Sequence, residues 1–448
     1  MNPGIASLRE CLDGAIPATI ATCDPDGTPN VAFLSQVQFV DDEHVALSYQ
    51  FFNRTRRNVL ANPQVTVLIA SHLTMAQFRL SLHYLHTETA GPLFEQMKAK
   101  LAGIASHTGM SGIFRLLGAD IYRITDIQAL PGPQLPPPPQ QNLLPAMRRV
   151  LARIDECADL ERLLPLVLGC LEKEFGIRHS MLLFADAAQG RLYTIASRGY
   201  AQSGVGSEIP VGHGVIGVAA REGVPIRISH MTSEYAYSRA IRASLREGGT
   251  DGSAPAEIDM EIPLPGLPEA RSQLAVPMLA GRRRIGVLYV ESTQDSRFGY
   301  DDEDVLVAIA AQLAMSVHLL QQAGEAESDD SPPAPRADAA PGAPLDVRHY
   351  AQNDSVFLGN DYLIKGVAGA ILWALLRDYA EHGRTDFSNR ELRLNPAIRL
   401  PDLADNLEAR LVLLQRRLEE RTECLRIRKL ARGRFRLCVS GTLHLSEA

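Results

Sequence analysis

The sequence predicts a three-domain protein in which a β barrel is followed by an α/β domain and then by a smaller α+β domain. A chain of 448 residues is long enough for about three domains of usual size. Two stretches have the composition of linkers: PGPQLPPPP has six prolines in nine residues, and GEAESDDSPPAPRADAAPGAP is acidic and then rich in proline and alanine. We therefore expect domains at residues 1–130, 143–322 and 351–448, a proline-rich linker at 131–142 and a disordered linker at 323–350.

The composition is that of a soluble globular protein. Apolar residues make up 46% and charged residues 22%, and the formal net charge is -7. The six cysteines are scattered without CxxC or Cys/His spacing, which favours reduced structural thiols over a metal site. The N-terminus lacks a charged start followed by an apolar run, and we find no apolar segment approaching about 18 residues. We expect a cytoplasmic protein with no membrane partner.

The first domain reads as a meander of β-strands. Apolar, β-rich runs at 18–23, 30–40 and 45–49 are separated by the turn residues DPDG and DDE. Proline and glycine supply the backbone angles that such turns need, so an antiparallel barrel is predicted.

A cluster of arginines follows these strands. Thr55, Arg56 and Arg57 lie in the segment FFNRTRRN, at a predicted strand-to-helix junction. Guanidinium groups and the first amides of a helix both favour an anion, so this junction is a candidate phosphate site. An arginine-rich exposed turn on an empty barrel is the alternative.

The segments TPNVAFLS, TRRN followed by NP, and GADIYRI resemble the pyridoxamine-phosphate-oxidase-like superfamily of FMN-binding split barrels. The resemblance implies that Thr55, Arg56 and Arg57 hold the phosphate of FMN. It also implies that one strand lies along the flavin ring. This strand consists of Asn30, Val31, Ala32, Phe33, Leu34 and Ser35. Ser35 stands where the oxidases tend to carry lysine, and the carboxyl end that binds their substrate has no match. We therefore expect flavin binding rather than vitamin B6 oxidation.

The second domain is organised around the segment RSQLAVPMLAGRRRIGVLYVES, residues 271–292, which predicts a hairpin of two buried strands. Helical stretches at 143–175 and after Tyr300 enclose it. The order of elements, with IPVGHGVIGVAAREGVPIRI before the hairpin, resembles a GAF domain. That resemblance implies a sheet between helices, a small-molecule ligand and a homodimer with its seam along the helices. No residue identifies the ligand.

The third domain carries a positive charge in an otherwise acidic chain. Residues 401–440 contain ten Lys/Arg against six Asp/Glu, a net charge of +4. Ser388 and Glu391 form a predicted capping box, Asp402 to Arg421 a long helix, and residues 425–437 a hairpin in which apolar residues alternate with arginine. Such a concentration of basic side chains is what binding to a phosphate backbone requires.

The strands, three helices and basic hairpin resemble the winged-helix output domain of OmpR-type response regulators. The resemblance implies that the long helix enters a DNA groove, with Asn406, Arg410 and Arg417 on its flank, and that Arg432, Arg434 and Arg436 touch phosphates. The alternative is a winged helix used for protein contact.

The three domains together predict a homodimeric regulatory protein. The barrel and the GAF-like domain would sense a flavin-linked or small-molecule signal, and the winged helix would report it to DNA, as in transcription regulation. The alternative is an FMN-dependent oxidoreductase whose other domains regulate or dock it. We find no nucleophile beside a base and no metal spacing in the sequence, which favours the regulator.

Overall fold

A computed structural model gives the fold. It describes residues 4–12, 16–34, 36–49, 54–107, 116–137, 141–228, 262–326, 344–396, 398, 407–431 and 433–447. The predicted order holds for these residues: an all-β barrel, then a sheet flanked by helices, then a domain of short sheets and helices.

The first domain is a seven-stranded antiparallel barrel with strand order β2-β1-β5-β6-β7-β4-β3. The strands are β1 Ala18–Cys23, β2 Pro29–Leu34, β3 Val37–Phe39, β4 His44–Tyr49, β5 Gln64–Ala70, β6 Gln77–Glu88 and β7 Gly118–Leu130. A 3-10 helix, Ile5–Leu12, precedes them, and helices α1 Arg54–Ala61 and α2 Pro92–His107 lie between strands. The run predicted as one strand at 30–40 is two strands, β2 and β3, which lie at opposite ends of the sheet order.

Alternating residues fill the barrel. Ile20, Val67 and Leu80 are almost fully buried, because every second side chain of a strand points to the same face. The 3-10 helix adds Ile5 and Leu8 to this core. The barrel therefore has its own apolar interior.

The second domain has a six-stranded sheet with order β10-β9-β8-β13-β12-β11. Its strands are β8 His179–Asp186, β9 Arg191–Arg198, β10 Glu208–Pro210, β11 Ile226–Ile228, β12 Ser272–Ala280 and β13 Arg283–Ser292. Its helices are α3 Leu144–Asp155, α4 Leu160–Phe175, α5 Gly214–Glu222 and α6 Tyr300–Ala326. The predicted hairpin is present as β12 and β13, which pair from Ser272 opposite Ser292, with a shift of register between Met278 and Leu279.

The centre of this sheet needs a glycine. Gly286 lies on β13 opposite Phe184 of β8. A Cβ atom at this position would lie 1.9 Å from the carbonyl oxygen of Leu183, far inside van der Waals contact. The strands can therefore pair closely here because residue 286 has no side chain.

Helix α6 corrects one expectation from the sequence. Its segment Tyr300–Gln322 is long and apolar enough to cross a membrane by length and composition, although 44% of the apolar window is buried inside the structure. Ile309, Leu313 and Val317 of this helix are fully buried, and the helix packs against β12, β13 and α3. The apolar face that produces the signal is thus part of the core of the second domain.

The third domain contains two small sheets. Their strands are β14 Leu345–Tyr350, β15 Ser355–Leu358, β16 Asp361–Ile364, β17 Asp386–Ser388, β18 Leu425–Ala431, β19 Arg434–Val439 and β20 Leu443–Glu447, and its helices are α7 Gly366–His382, α8 Asn389–Leu394 and α9 Leu407–Arg421. The capping box of Ser388 and Glu391 is confirmed, with both hydrogen bonds present. Strand β14 lies inside the region predicted as linker and pairs in parallel with β20.

Helix α9 joins the second and third domains. It packs against α7, β16 and β18 of its own domain and against α4 and β9 of the preceding one. Buried side chains of both domains consequently form one continuous apolar cluster. The third domain is docked on the second in this structure.

Candidate functional site

Two side chains of the predicted phosphate site are joined by a hydrogen bond. The Asn30 amide on β2 donates to the Thr55 hydroxyl on α1 over 2.9 Å, and it also lies 3.3 Å from the hydroxyl of Thr22. Asn58 on α1 donates to the same Thr22 hydroxyl over 3.2 Å. Thr22 and Asn58 are buried. This network fixes the start of α1 against strands β1 and β2.

Arg56 points into the barrel wall. Its guanidinium donates to Asp120 over 2.6 Å and to Thr87 over 2.8 Å. It also stacks on the rings of Tyr49 and Tyr84, at 4.6 Å and 5.4 Å from their centres. Burial raises the pKa of Asp120, although hydrogen bonds from Thr87 and Arg56 and the charge of Arg56 act against that change. These contacts hold Arg56 against the barrel wall, and its predicted contact with a phosphate stays a prediction.

Solvent reaches both Arg57 and Thr55 near the start of α1. Arg57 is exposed and Thr55 is partly exposed, as the predicted phosphate site requires. Along β2, Asn30 and Ala32 are partly buried and Leu34 is buried, whereas Val31 and Phe33 point outward with 66% and 81% of their surfaces exposed. Ser35 lies outside the described residues.

Sequence reasoning missed Thr22, Asn58 and Asp120. Asn58 and Asp120 belong to the TRRN and GADIYRI segments that carry the resemblance, so their positions gave a signal that was not used. Thr22 gave none, because its role depends on β1 lying beside β2 and α1.

Two arginines predicted to contact DNA are buried. Arg410 pairs with Asp186 of the second domain over 2.6 Å. Arg417 is 2% exposed and donates twice to the carbonyl oxygen of Leu363, over 3.1 Å and 3.0 Å. In this docked arrangement the flank of α9 that carries them faces protein, and their contact with DNA stays a prediction.

The basic hairpin is partly open. Arg436 is about two-fifths exposed and pairs with Asp386 over 2.5 Å, while Arg434 is partly buried. Arg428 on β18 is exposed. Asn406 and Arg432 lie outside the described residues.

The sheet of the second domain carries a buried carboxylate. Glu291 is 3% exposed and accepts hydrogen bonds from the Tyr289 hydroxyl over 3.0 Å and from the backbone N–H of Leu267 over 2.8 Å. Burial, together with the negative charge of Glu291, raises the pKa of Tyr200. Across the described parts of the chain, no three His, Cys, Asp or Glu side chains are grouped to hold a metal ion.

Comparison with protein families decides the nature of two domains. The model described as "GAF domain" matches residues 157–318. These residues form a GAF domain. The model described as "Pyridoxamine 5'-phosphate oxidase" matches residues 6–110, so the barrel is of the split type of that family. The winged-helix resemblance of the third domain stays a prediction.

Solved structures also resemble the first two domains. The GAF domain of an Acinetobacter phosphoenolpyruvate-protein phosphotransferase is 21% identical, covers 43% of this chain and 100% of its own, and gives a TM-score of 0.31. Free methionine-R-sulfoxide reductase from Neisseria meningitidis, solved with its substrate, is 19% identical over 41% of this chain and 96% of its own, with a TM-score of 0.30. An FMN-binding protein from Syntrophomonas wolfei is 16% identical over 29% of this chain and 92% of its own, with a TM-score of 0.23. No curated protein matches the chain.

Proposed function

We propose that the protein is a sensory regulator whose split barrel binds FMN or a related phosphorylated flavin and whose GAF domain receives the resulting signal. The observation that carries the proposal is the start of α1, where Thr55 is held by Asn30 and Arg57 stays exposed on the family's phosphate segment. A helix start beside an arginine is a favourable position for a phosphate.

The residues of this chain fit such a ligand with one change from the sequence-based prediction. Arg57 and Thr55 would hold the phosphate, and the flavin would lie along β2. Arg56 would act indirectly, by joining α1 to β7 through Asp120. Bound flavin would supply redox chemistry and visible absorption.

A contact between the barrel and the GAF domain supports signal transfer. Tyr300, the first residue of α6, lies between two arginines: Arg9 of the barrel, 4.4 Å from the ring centre, and Arg227 of β11, 4.2 Å away. Arg227 also pairs with Glu303 over 2.7 Å. Helix α2 of the barrel packs against α5 and β11. A change in the barrel thus has a direct physical route to the GAF sheet.

The third domain is proposed as the output, with DNA as its target. Its net positive charge and the exposed Arg428 support this, since phosphate contacts dominate non-specific affinity for DNA. Arg410 and Arg417 take no part while they are buried.

We propose that the protein forms a homodimer through the outer face of the barrel. Phe33 and Leu68 lie on either side of Thr19 in the sheet register, so their side chains share a face with Val31. All three apolar side chains are exposed. An outward apolar sheet face of this kind is suited to contact with a second copy.

The experiment is a titration of FMN with the protein, in which quenching of FMN fluorescence reports binding. We expect saturable binding, weakened about tenfold or more by Arg57→Met, since a charge-assisted phosphate contact contributes about 1.5–3 kcal/mol. Arg123→Met, at an exposed arginine elsewhere on the barrel, is the matched control and should bind like the wild type. Absence of binding would contradict the proposal, and steady oxidation of a reduced nicotinamide by the loaded protein would favour the oxidoreductase.

A further inference from the structure

The C-terminal domain is held on the GAF domain by side chains of α9. The guanidinium of Arg410 donates to Asp186 on β8 over 2.6 Å and lies 4.2 Å from the ring centre of Tyr193 on β9. Arg416 donates to the carbonyl oxygen of Ile195 over 2.8 Å. One flank of α9 is therefore attached to two adjacent strands of the GAF sheet.

Two lysines extend this contact beyond α9. Lys429 of the basic hairpin pairs with Asp159, the N-cap of α4, over 2.5 Å. Lys365, before α7, pairs with Glu208 of β10 over 3.5 Å. Burial alone would raise the pKa of Asp159, but the hydrogen bond and charge of Lys429 lower it. The interface thus includes ionised pairs that span three elements of each domain.

Uncharged and mixed contacts complete the interface. Gln415 donates to Glu161 over 2.7 Å, and the Ser203 hydroxyl donates to Glu420 over 2.5 Å. Arg416 lies close to Glu161 as well, and burial lowers its pKa against the effect of that carboxylate. Glu161 therefore faces both a neutral and a cationic side chain of α9.

The three ion pairs have the same polarity. The GAF domain supplies the carboxylates Asp159, Asp186 and Glu208, and the C-terminal domain supplies the cations Lys429, Arg410 and Lys365. Phosphates of duplex DNA would present the same sign of charge to those cations. Charged contacts cost desolvation and weaken in salt, so these three pairs weaken more readily than the apolar contacts that α9 makes beside them.

We propose that the docked arrangement is the closed state of a switch, in which GAF carboxylates occupy cations of the C-terminal domain that are then unavailable to DNA. Opening frees Arg410 and the flank of α9. The DNA arm of this proposal rests on the output function put forward above, whereas the closed state rests on the interface alone.

The test uses full-length protein with two matched sets of substitutions. The interface variant carries Glu161→Gln, Asp186→Asn and Glu208→Gln, which remove three GAF charges with little change in shape. The control variant carries Glu172→Gln, Glu174→Gln and Asp295→Asn, whose partners Arg198, Arg149 and Arg271 all lie within the GAF domain. Both variants lose two glutamates and one aspartate.

Small-angle X-ray scattering measures the maximum dimension of each protein, and fluorescence anisotropy measures binding to a mixed-sequence DNA duplex at low salt. We expect the interface variant to be longer than the control and to bind the duplex about tenfold more tightly, as newly available cations contact phosphate. An unchanged maximum dimension overturns the closed state, whatever the DNA result. A longer molecule that binds no duplex supports the closed state and contradicts the DNA-binding output.

Discussion

Arg9 of the barrel stacks on Tyr300, the first residue of the closing GAF helix, with 4.4 Å between the guanidinium carbon and the ring centre. Arg227 stacks on the same ring. Replacing Tyr300 with Leu removes both cation–π contacts, each of which contributes about 0.5–2 kcal/mol. We expect thermal unfolding to show an earlier transition, while Tyr300→Phe keeps the ring and stays near the wild type. Equal losses in both variants would assign the effect to the hydroxyl group.

Asp120 neutralises Arg56 inside the barrel, with side chains 9% and 16% exposed. Asp120→Asn leaves a guanidinium largely buried without its counter-charge, a change that costs about 3–5 kcal/mol in comparable pairs. Urea unfolding followed by far-UV circular dichroism should show the loss. The double variant with Arg56→Met should recover part of it, and a double variant no better than the single one would contradict this role for the pair.

Lys429 gives the docked interface a dependence on pH. The pKa of Asp159 is lower in the folded protein than its ordinary value of 3.8. Its ion pair with Lys429 therefore contributes fully to stability above pH 3.8, and this contribution is lost as the pH falls through the lower folded pKa. Lys429→Met should therefore destabilise the protein at neutral pH by about 0.5–1 kcal/mol, as expected for a partly exposed pair. Thermal melts from pH 7 to pH 3 should show this difference shrinking as the solution becomes acidic. A difference that persists unchanged at pH 3 would exclude the ion pair as its cause.

Phe33 tests the proposed dimer surface. Its ring is 81% exposed, and a carboxylate placed there would be opposed by its symmetry mate or buried without a partner. We expect Phe33→Glu to be monomeric by size-exclusion chromatography with light scattering. Leu319→Glu, on the exposed side of α6, tests the helical seam predicted from the sequence. If only Leu319→Glu is monomeric, the dimer interface lies on α6 and not on the barrel.

Local sequence patterns predicted local structure well. Two apolar runs on either side of a glycine turn predicted β12 and β13, and the spacing of Ser388 and Glu391 predicted the start of α8. These features depend on residues close together in the chain, so the sequence contains the physical cause of each.

Contacts between distant segments could not be predicted in the same way. Arg410 and Asp186 are 224 residues apart, and helical spacing alone placed Arg410 beside an apolar stripe, on a flank expected to face DNA. The docked GAF domain covers that flank. The parallel pairing of β14 with β20 joins segments from opposite ends of the third domain, and proline and alanine before β14 hid its start.

The most direct test of the proposed sensor is amide hydrogen exchange with and without FMN. We predict that FMN changes exchange in the barrel and also in α5 and β11, the GAF elements that contact α2. Exchange that changes only within the barrel, residues 1–130, despite saturating FMN, would contradict the proposed transfer of a signal from the barrel to the GAF domain.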